Sequence, residues 1–161
     1  MTTQASSRQI PRTPAVEAYV RLLRAHASIT RRFNSQLVAD HGLTLNDYEV
    51  LLHLSRAEGQ RLRRVDLAER ILLTPSGITR LLEGLERCGY VERASCASDA
   101  RVTYAQLTEK GETKLREASE THVEDIHSVF VERFSAREMA TLRELLERLP
   151  VDGTSEEDCT S

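Results

Sequence analysis

TPSGITRLLEGLERCGYVERASCASDARVTYAQLT, residues 74–108, changes character twice within thirty-five positions. Thr74 followed by Pro75 pairs a capping hydroxyl with the residue best suited to a first helical turn. Ile78, Leu81, Leu82 and Leu85 then recur at spacings of one, three and four, which gives a helix one apolar side. Gly89 stops it, because glycine enters the left-handed conformation that closes helices without a Cβ penalty. Two short β-prone runs follow, residues 90–94 and 102–107, on either side of a polar tip carrying Asp99-Ala100-Arg101. A helix joined directly to a two-stranded hairpin is the unit around which the rest of the chain is read.

Immediately upstream, the spacing predicts a short helix over about residues 63–71, with Val65, Leu67, Ala68 and Ile71 facing inward. Only Leu72-Leu73 separates it from Thr74. Two helices joined so tightly form a helix-turn-helix, whose second member can lie in the major groove of DNA. The outer face of that second helix presents Ser76, Gly77, Thr79, Arg80, Glu83 and Arg87. Thr74, Ser76, Gly77 and Thr79 are small or hydroxylated, so the helix start can approach a phosphate or base edge closely, aided by the positive end of the helix dipole. Arg80, a turn further on, is the leading candidate for a phosphate or guanine contact. The hairpin then reads as a wing whose tip reaches a minor groove, where negative potential attracts arginine. Arg101 is the candidate contact and Asp99 the residue placed to orient it.

Further out, Thr13-Pro14 opens a long helix. Its apolar stripe (Val16, Val20, Leu23, Ala27, Thr30, Phe33 and Leu37) continues to a stop at His41-Gly42. Such a stripe must be covered by other helices, from this subunit or another. Thr44 with Asp47 forms a capping box for a helix ending at Glu58-Gly59, with Tyr48, Leu51, Leu52 and Leu54 inside. After the hairpin, Thr108 caps a long helix with Leu115, Val123, Ile126 and Phe130 inward. Ser135 with Glu138 boxes a last one, carrying Met139, Leu142, Leu145, Leu146 and Leu149 on one side before Pro150. The expected fold is mainly α with a small β-hairpin wing: a winged helix-turn-helix core flanked by N- and C-terminal dimerisation helices. The expected divisions are a disordered arm at 1–12, a dimerisation helix at 13–41, the DNA-binding domain at 43–108, dimerisation helices at 109–149 and an acidic tail at 150–161.

Composition agrees. The 161 residues contain no tryptophan and only 4% aromatics, with 40% hydrophobic residues, which suits a helical core of aliphatic side chains. The net charge of −3 conceals a division. Residues 1–35 carry six arginines and one acid, whereas residues 105–161 carry seven basic and fourteen acidic groups. Between 61 and 104 all eight basic residues are arginine, the side chain suited to forked contacts with phosphate and guanine. An acidic average therefore does not exclude a polyanionic partner.

No apolar run approaches the roughly 18–20 residues that span a bilayer, and the N-terminus lacks the apolar centre of a secretory signal, so a cytoplasmic location without membrane attachment is expected. Cys88, Cys96 and Cys159 give no disulfide framework. The histidines are scattered, with His122 and His127 five apart rather than four, so no metal or cofactor is expected. No nucleophile–base motif or glycine-rich phosphate loop suggests an enzyme.

Residues 43–111 closely resemble the winged-helix core of the MarR family of bacterial transcription regulators. The resemblance rests on LT at 43–44, DLAER at 66–70, SGITRLLEGLE at 76–86, GYVER at 89–93, the Asp99-x-Arg101 pair and LTEKG at 107–111, in order and at these spacings. It implies a homodimer in which first and last helices interlock, binding a pseudo-palindromic double-stranded DNA operator, often as a repressor. It also implies release by a small phenolic or other aromatic ligand, or in some members control through cysteine. By position, Ser76, Thr79 and Arg80 fall at recognition-helix contacts and Asp99 and Arg101 at the wing. Three departures stand out. Ala100 occupies a wing position often held by a second arginine. Arg63, followed by Arg64, replaces the usual Thr or Ser at the start of helix 3, and the pair is read as compensating phosphate contacts. Leu72 stands where the turn often has glycine. His26 and His53 are candidate ligand-cavity residues, or else merely half-buried polar groups. Cys88 and Cys96 are candidate redox switches, or incidental thiols. A thiol-based sensor and a helical interaction module that no longer reads DNA are the alternatives to a ligand-released repressor.

Overall fold

The computed structural model describes residues 13–95 and 103–150. In chain order the elements are α1 (Pro14–His41), α2 (Leu45–Arg56), a 3₁₀ turn (Glu58–Gln60), β1 (Arg61–Arg63), α3 (Arg64–Arg70), α4 (Pro75–Cys88), β2 (Val91–Ser95), β3 (Thr103–Leu107), α5 (Glu109–Val131) and α6 (Ala136–Glu147). The chain divides into two compact units, one ending at Arg32 and the other beginning at Phe33, so the division falls inside α1. The expected winged-helix architecture is present: a mainly helical chain with a small antiparallel sheet whose strands flank the helix-turn-helix in the chain.

In the first unit the Thr13 hydroxyl accepts the Val16 N–H at 3.3 Å and starts the helix. Val16, Tyr19, Val20, Leu22 and Leu23 are exposed there.

In the second unit the helix ends are set by local chemistry. Thr44 Oγ1 accepts from Asp47 N while Asp47 Oδ2 accepts from Thr44 N, completing the box that starts α2. Ser135 and Glu138 do the same for α6. Thr74 caps α4 and Thr108 caps α5. The core gathers Leu37 of α1, Val50, Leu51 and Leu54 of α2, Leu67 of α3, Leu82 of α4, and Ala105 and Leu107 of β3.

Several expectations are corrected. α2 stops at Arg56, and Gly59, at φ +63°, lies in the 3₁₀ turn beyond it. The sheet has three strands, in the order β1-β3-β2, rather than two. β1 is only Arg-Leu-Arg and has no β-forming run of its own; its pairing of Arg61 with Gln106 and Arg63 with Tyr104 makes it a strand. Val65, expected inside, is 61% exposed. It lies two residues from Leu67, about 200° around α3, and so faces away from the most deeply buried side chain of that helix. Val123 is likewise exposed, and Ala118, His122 and Val129 take the buried side of α5 with Leu115. α6 buries no residue within the chain: Met139 and Leu142 are half-buried and Leu145, Leu146 and Leu149 exposed.

Candidate nucleic-acid interface

The turn from α3 to α4 is held by two backbone bonds, Leu72 N–H to Glu69 O at 3.3 Å and Leu73 N–H to Ala68 O at 2.9 Å. That pair is the Schellman arrangement, and it places Leu72 in the left-handed region at φ +53°. The same arrangement closes α4, where Gly89 donates to Glu86 O and Tyr90 to Leu85 O, with φ +74° at Gly89. At Gly89 glycine removes the steric cost; at Leu72 a branched side chain, 84% exposed, bears it. The turn thus keeps the geometry that glycine would give.

α4 is sharply two-sided. Ile78, Leu82 and Leu85 are buried, whereas Ser76, Arg80, Glu83 and Arg87 are exposed. Thr74 Oγ1 accepts the Gly77 N–H at 3.1 Å and lies 3.2 Å from Ser76 Oγ, so Thr74 serves first as the cap. A Cβ on Gly77 would come within 3.2 Å of that same oxygen, which explains the small residue there. Thr79 Oγ1 donates to Pro75 O at 2.8 Å and keeps its acceptor lone pairs. Among the described residues the Arg80 side chain has neither an ion pair nor a hydrogen bond.

The two arginines read as phosphate contacts are both engaged in the unbound chain. Arg63 forms a fork with Asp66, Nε to Oδ2 at 2.8 Å and Nη2 to Oδ1 at 2.7 Å, and this raises its pKa further above that of an ordinary guanidinium. Arg64 is only 20% exposed and donates through Nη2 to Glu86 Oε1 at 3.2 Å, tying α3 to α4. Spacing did not reveal this second role, because the partners are 22 residues apart. Arg61 lies over the Tyr104 ring at 5.3 Å, across the β1–β3 pair.

The wing is rooted by residues 107–111. Thr108 N–H donates to Tyr90 O at 3.1 Å, Thr108 Oγ1 to Gly89 O at 2.7 Å, and Lys110 Nζ to Cys88 O at 2.7 Å while lying over the Tyr90 ring. A Cβ on Gly111 would collide with the Tyr90 carbonyl and stand 2.8 Å from Leu107 Cδ1. Thr108, Lys110 and Gly111 of LTEKG therefore fasten the start of α5 to the end of α4 and to Tyr90. Asp99, Ala100, Arg101 and Cys96 lie outside the described residues. Cys88 is exposed at the last residue of α4.

His26 is exposed on α1. His53 is half-buried on α2, its pKa lowered by burial and then by the positive charges of Arg70 and Arg56. The buried histidine is His122, 5% exposed, packed edge-on against Phe33 of α1 at 5.2 Å and Tyr48 of α2 at 4.8 Å. Its apolar neighbours four and seven residues away (Ala118, Leu115 and Val129) were the available signal. No group of three or more His, Cys, Asp or Glu among the described residues is placed to hold a metal ion, and no described helix is long and apolar enough to cross a membrane.

The MarR family model matches residues 41–102. The HTH-type transcriptional repressor YetL of Bacillus subtilis is 34% identical over 117 residues, 70% of each chain. The HTH-type transcriptional regulator MhqR of the same organism is 30% identical over 84% of this chain and 90% of its own. The chain belongs to the MarR family. Among solved structures, Sco3205, a MarR family transcriptional regulator from Streptomyces coelicolor crystallised in complex with DNA, superposes with a TM-score of 0.77. It is 26% identical and covers 88% of this chain and 89% of that one. For this MarR-family regulator the similarity to both relatives extends well beyond the 41–102 match, so the flanking helices share in it.

Proposed function

We propose that this MarR-family chain is a sequence-specific reader of double-stranded DNA that works as a homodimeric repressor in the cytoplasm. The observation that carries the reading is the outer face of α4: a capped helix start with small and hydroxylated residues, followed by Arg80 with no partner among the described residues. A guanidinium left unpaired beside a helix N-terminus suits a phosphate or guanine, since both place donors toward negative charge. In the proposed contact set Ser76, Thr79 and Arg80 read the major groove, with Thr74 and Gly77 shaping the helix start. Arg101, steered by Asp99, enters the minor groove. Arg63 reaches phosphate by exchanging Asp66 for it, and Arg64 contributes mainly by holding α3 to α4.

The dimer is supported by apolar surface that the described chain leaves open: Val16, Val20 and Leu23 on α1 and Leu145, Leu146 and Leu149 toward the C-terminus. These segments are the proposed dimerisation helices, and a two-fold dimer implies a pseudo-palindromic operator. Repression is favoured by the role named for YetL. Release by a small aromatic ligand rests on the family resemblance, with His53 as a half-buried candidate contact.

The test is fluorescence anisotropy on the duplex upstream of the chain's own coding region, beside a scrambled duplex, over a range of salt. Selective binding with a log–log salt slope corresponding to roughly 6–10 phosphate contacts is expected. Arg80→Ala should lose most of the selectivity while the dimer persists in sedimentation. Equal affinity of the wild type for every duplex presented, including a genomic fragment pool, would sink the reading.

A further inference from the structure

Glu86 lies on the inner side of α4 and holds two arginines from two other elements. Its Oε1 accepts from Arg64 Nη2 of α3 at 3.2 Å and from Arg93 Nε of β2 at 3.1 Å, and its Oε2 accepts from Arg93 Nε at 3.0 Å. We infer that Glu86 is a positioning residue, a carboxylate clamp that sets the wing strand β2 against the recognition helix and both against α3. The inference rests on the DNA-reading role proposed above, because it assigns Glu86 to the geometry of that same interface.

Three observations carry it. The clamp spans three elements, whereas the fork between Arg63 and Asp66 closes within a single turn. Glu86 and Arg64 are 21% and 20% exposed, so their pairing is less screened than an ion pair fully in water, and Arg93 at 54% completes it from the rim. Arg64 Nε is buried and has no hydrogen-bond partner, so the guanidinium depends on Glu86 for its charge-assisted bond. One carboxylate between two guanidiniums also leaves the cluster with one surplus positive charge. Without Glu86, two like charges would face each other across the joint between α3 and β2. The backbone around Gly89 and Tyr90 fixes where the wing begins, and the Glu86–Arg93 pair, seven residues apart, fixes the angle at which β2 leaves. Reading two grooves at once needs that angle held before binding, since an interface that must first be ordered loses affinity.

The experiment uses the full chain as wild type, Glu86→Gln, Arg93→Gln and the double variant, followed by hydrogen exchange and by anisotropy on the operator and scrambled duplexes. In Glu86→Gln the β2 amides, residues 91–95, should exchange about three- to ten-fold faster while those of α2 and α5 keep their rates. Operator affinity should fall by a similar factor with the scrambled duplex unchanged, Arg93→Gln should reproduce the loss, and the double variant should be no worse than either alone. Unchanged β2 exchange, exchange raised uniformly across the domain, or additive losses in the double variant would each overturn the clamp. A wild type that selects no duplex would defeat the DNA-reading proposal instead, and the exchange rates of β2 would still decide whether Glu86 holds the wing.

Discussion

Leu72 and His122 each sit where their residue type is costly. Leu72 occupies a left-handed position at φ +53° with its side chain in solvent, so little packing would be lost on its removal. The steric cost of that conformation is roughly 1–2 kcal/mol, and glycine's greater freedom in the unfolded chain returns about 0.5–1 kcal/mol of it. Leu72→Gly is therefore expected to stabilise the protein by about 0.5–1 kcal/mol in urea denaturation. A loss of stability would mean that the exposed leucine makes a contact in the assembled protein. At His122 burial lowers the pKa below the ordinary 6.5, against a weaker upward pull from Asp125. Folded His122 stays neutral while the unfolded chain takes up a proton, so its contribution is intact above about pH 6.5 and declines as pH falls from there through the lowered folded value. His53 shifts the same way and adds to the decline. Because His122 Nδ1 is buried without a partner, His122→Leu should cost little at pH 8 and should flatten the fall in melting temperature between pH 6.5 and 5. An unaltered pH profile would assign the whole acid-side loss elsewhere.

Elements here are joined by a few close approaches. Gly111 lets the first turn of α5 lie on the Tyr90 carbonyl, and the Thr108 and Lys110 bonds hold it there. A methyl group at that position must push α5 or β2 aside, so Gly111→Ala should destabilise by about 1–3 kcal/mol despite alanine's better helix propensity. At roughly 2–4 °C per kcal/mol for a chain of this size, a thermal melt resolves the change. An unchanged melting temperature would show that the joint yields freely. At this scale the sequence was most legible where chemistry is local: Thr44, Thr74, Thr108 and Ser135 all cap the helices that their motifs announced. It was least legible in β1, whose three residues become a strand only through β3, more than forty positions later.

For the whole molecule, the chain leaves apolar side chains open on the N-terminal stretch of α1 and on α6 and its C-terminal flank. If a second copy covers them, melting should be concentration-dependent and the protein should sediment as a dimer at micromolar concentration. Leu145→Glu together with Leu149→Glu should produce a monomer that keeps the helix content of the DNA-reading half. A dimer that survives both substitutions would exclude this face as the interface.

Caps, left-handed glycines and helical periodicity act over one to five residues, so the sequence by itself determined the order of the helices, the two-sided recognition helix and the hairpin behind it. It also carried the family, because those local signals recur at set spacings. Only the tertiary structure decided which charged groups are spoken for. Arg64 and Arg93 look as available as Arg80 when read along the chain, yet they meet on Glu86 from 22 and seven residues away, whereas the Arg80 side chain has no partner among the described residues. Val65 leaves its expected place and His122 is buried for the same reason: burial follows the angle a side chain takes around its helix and what packs there, not its hydropathy alone.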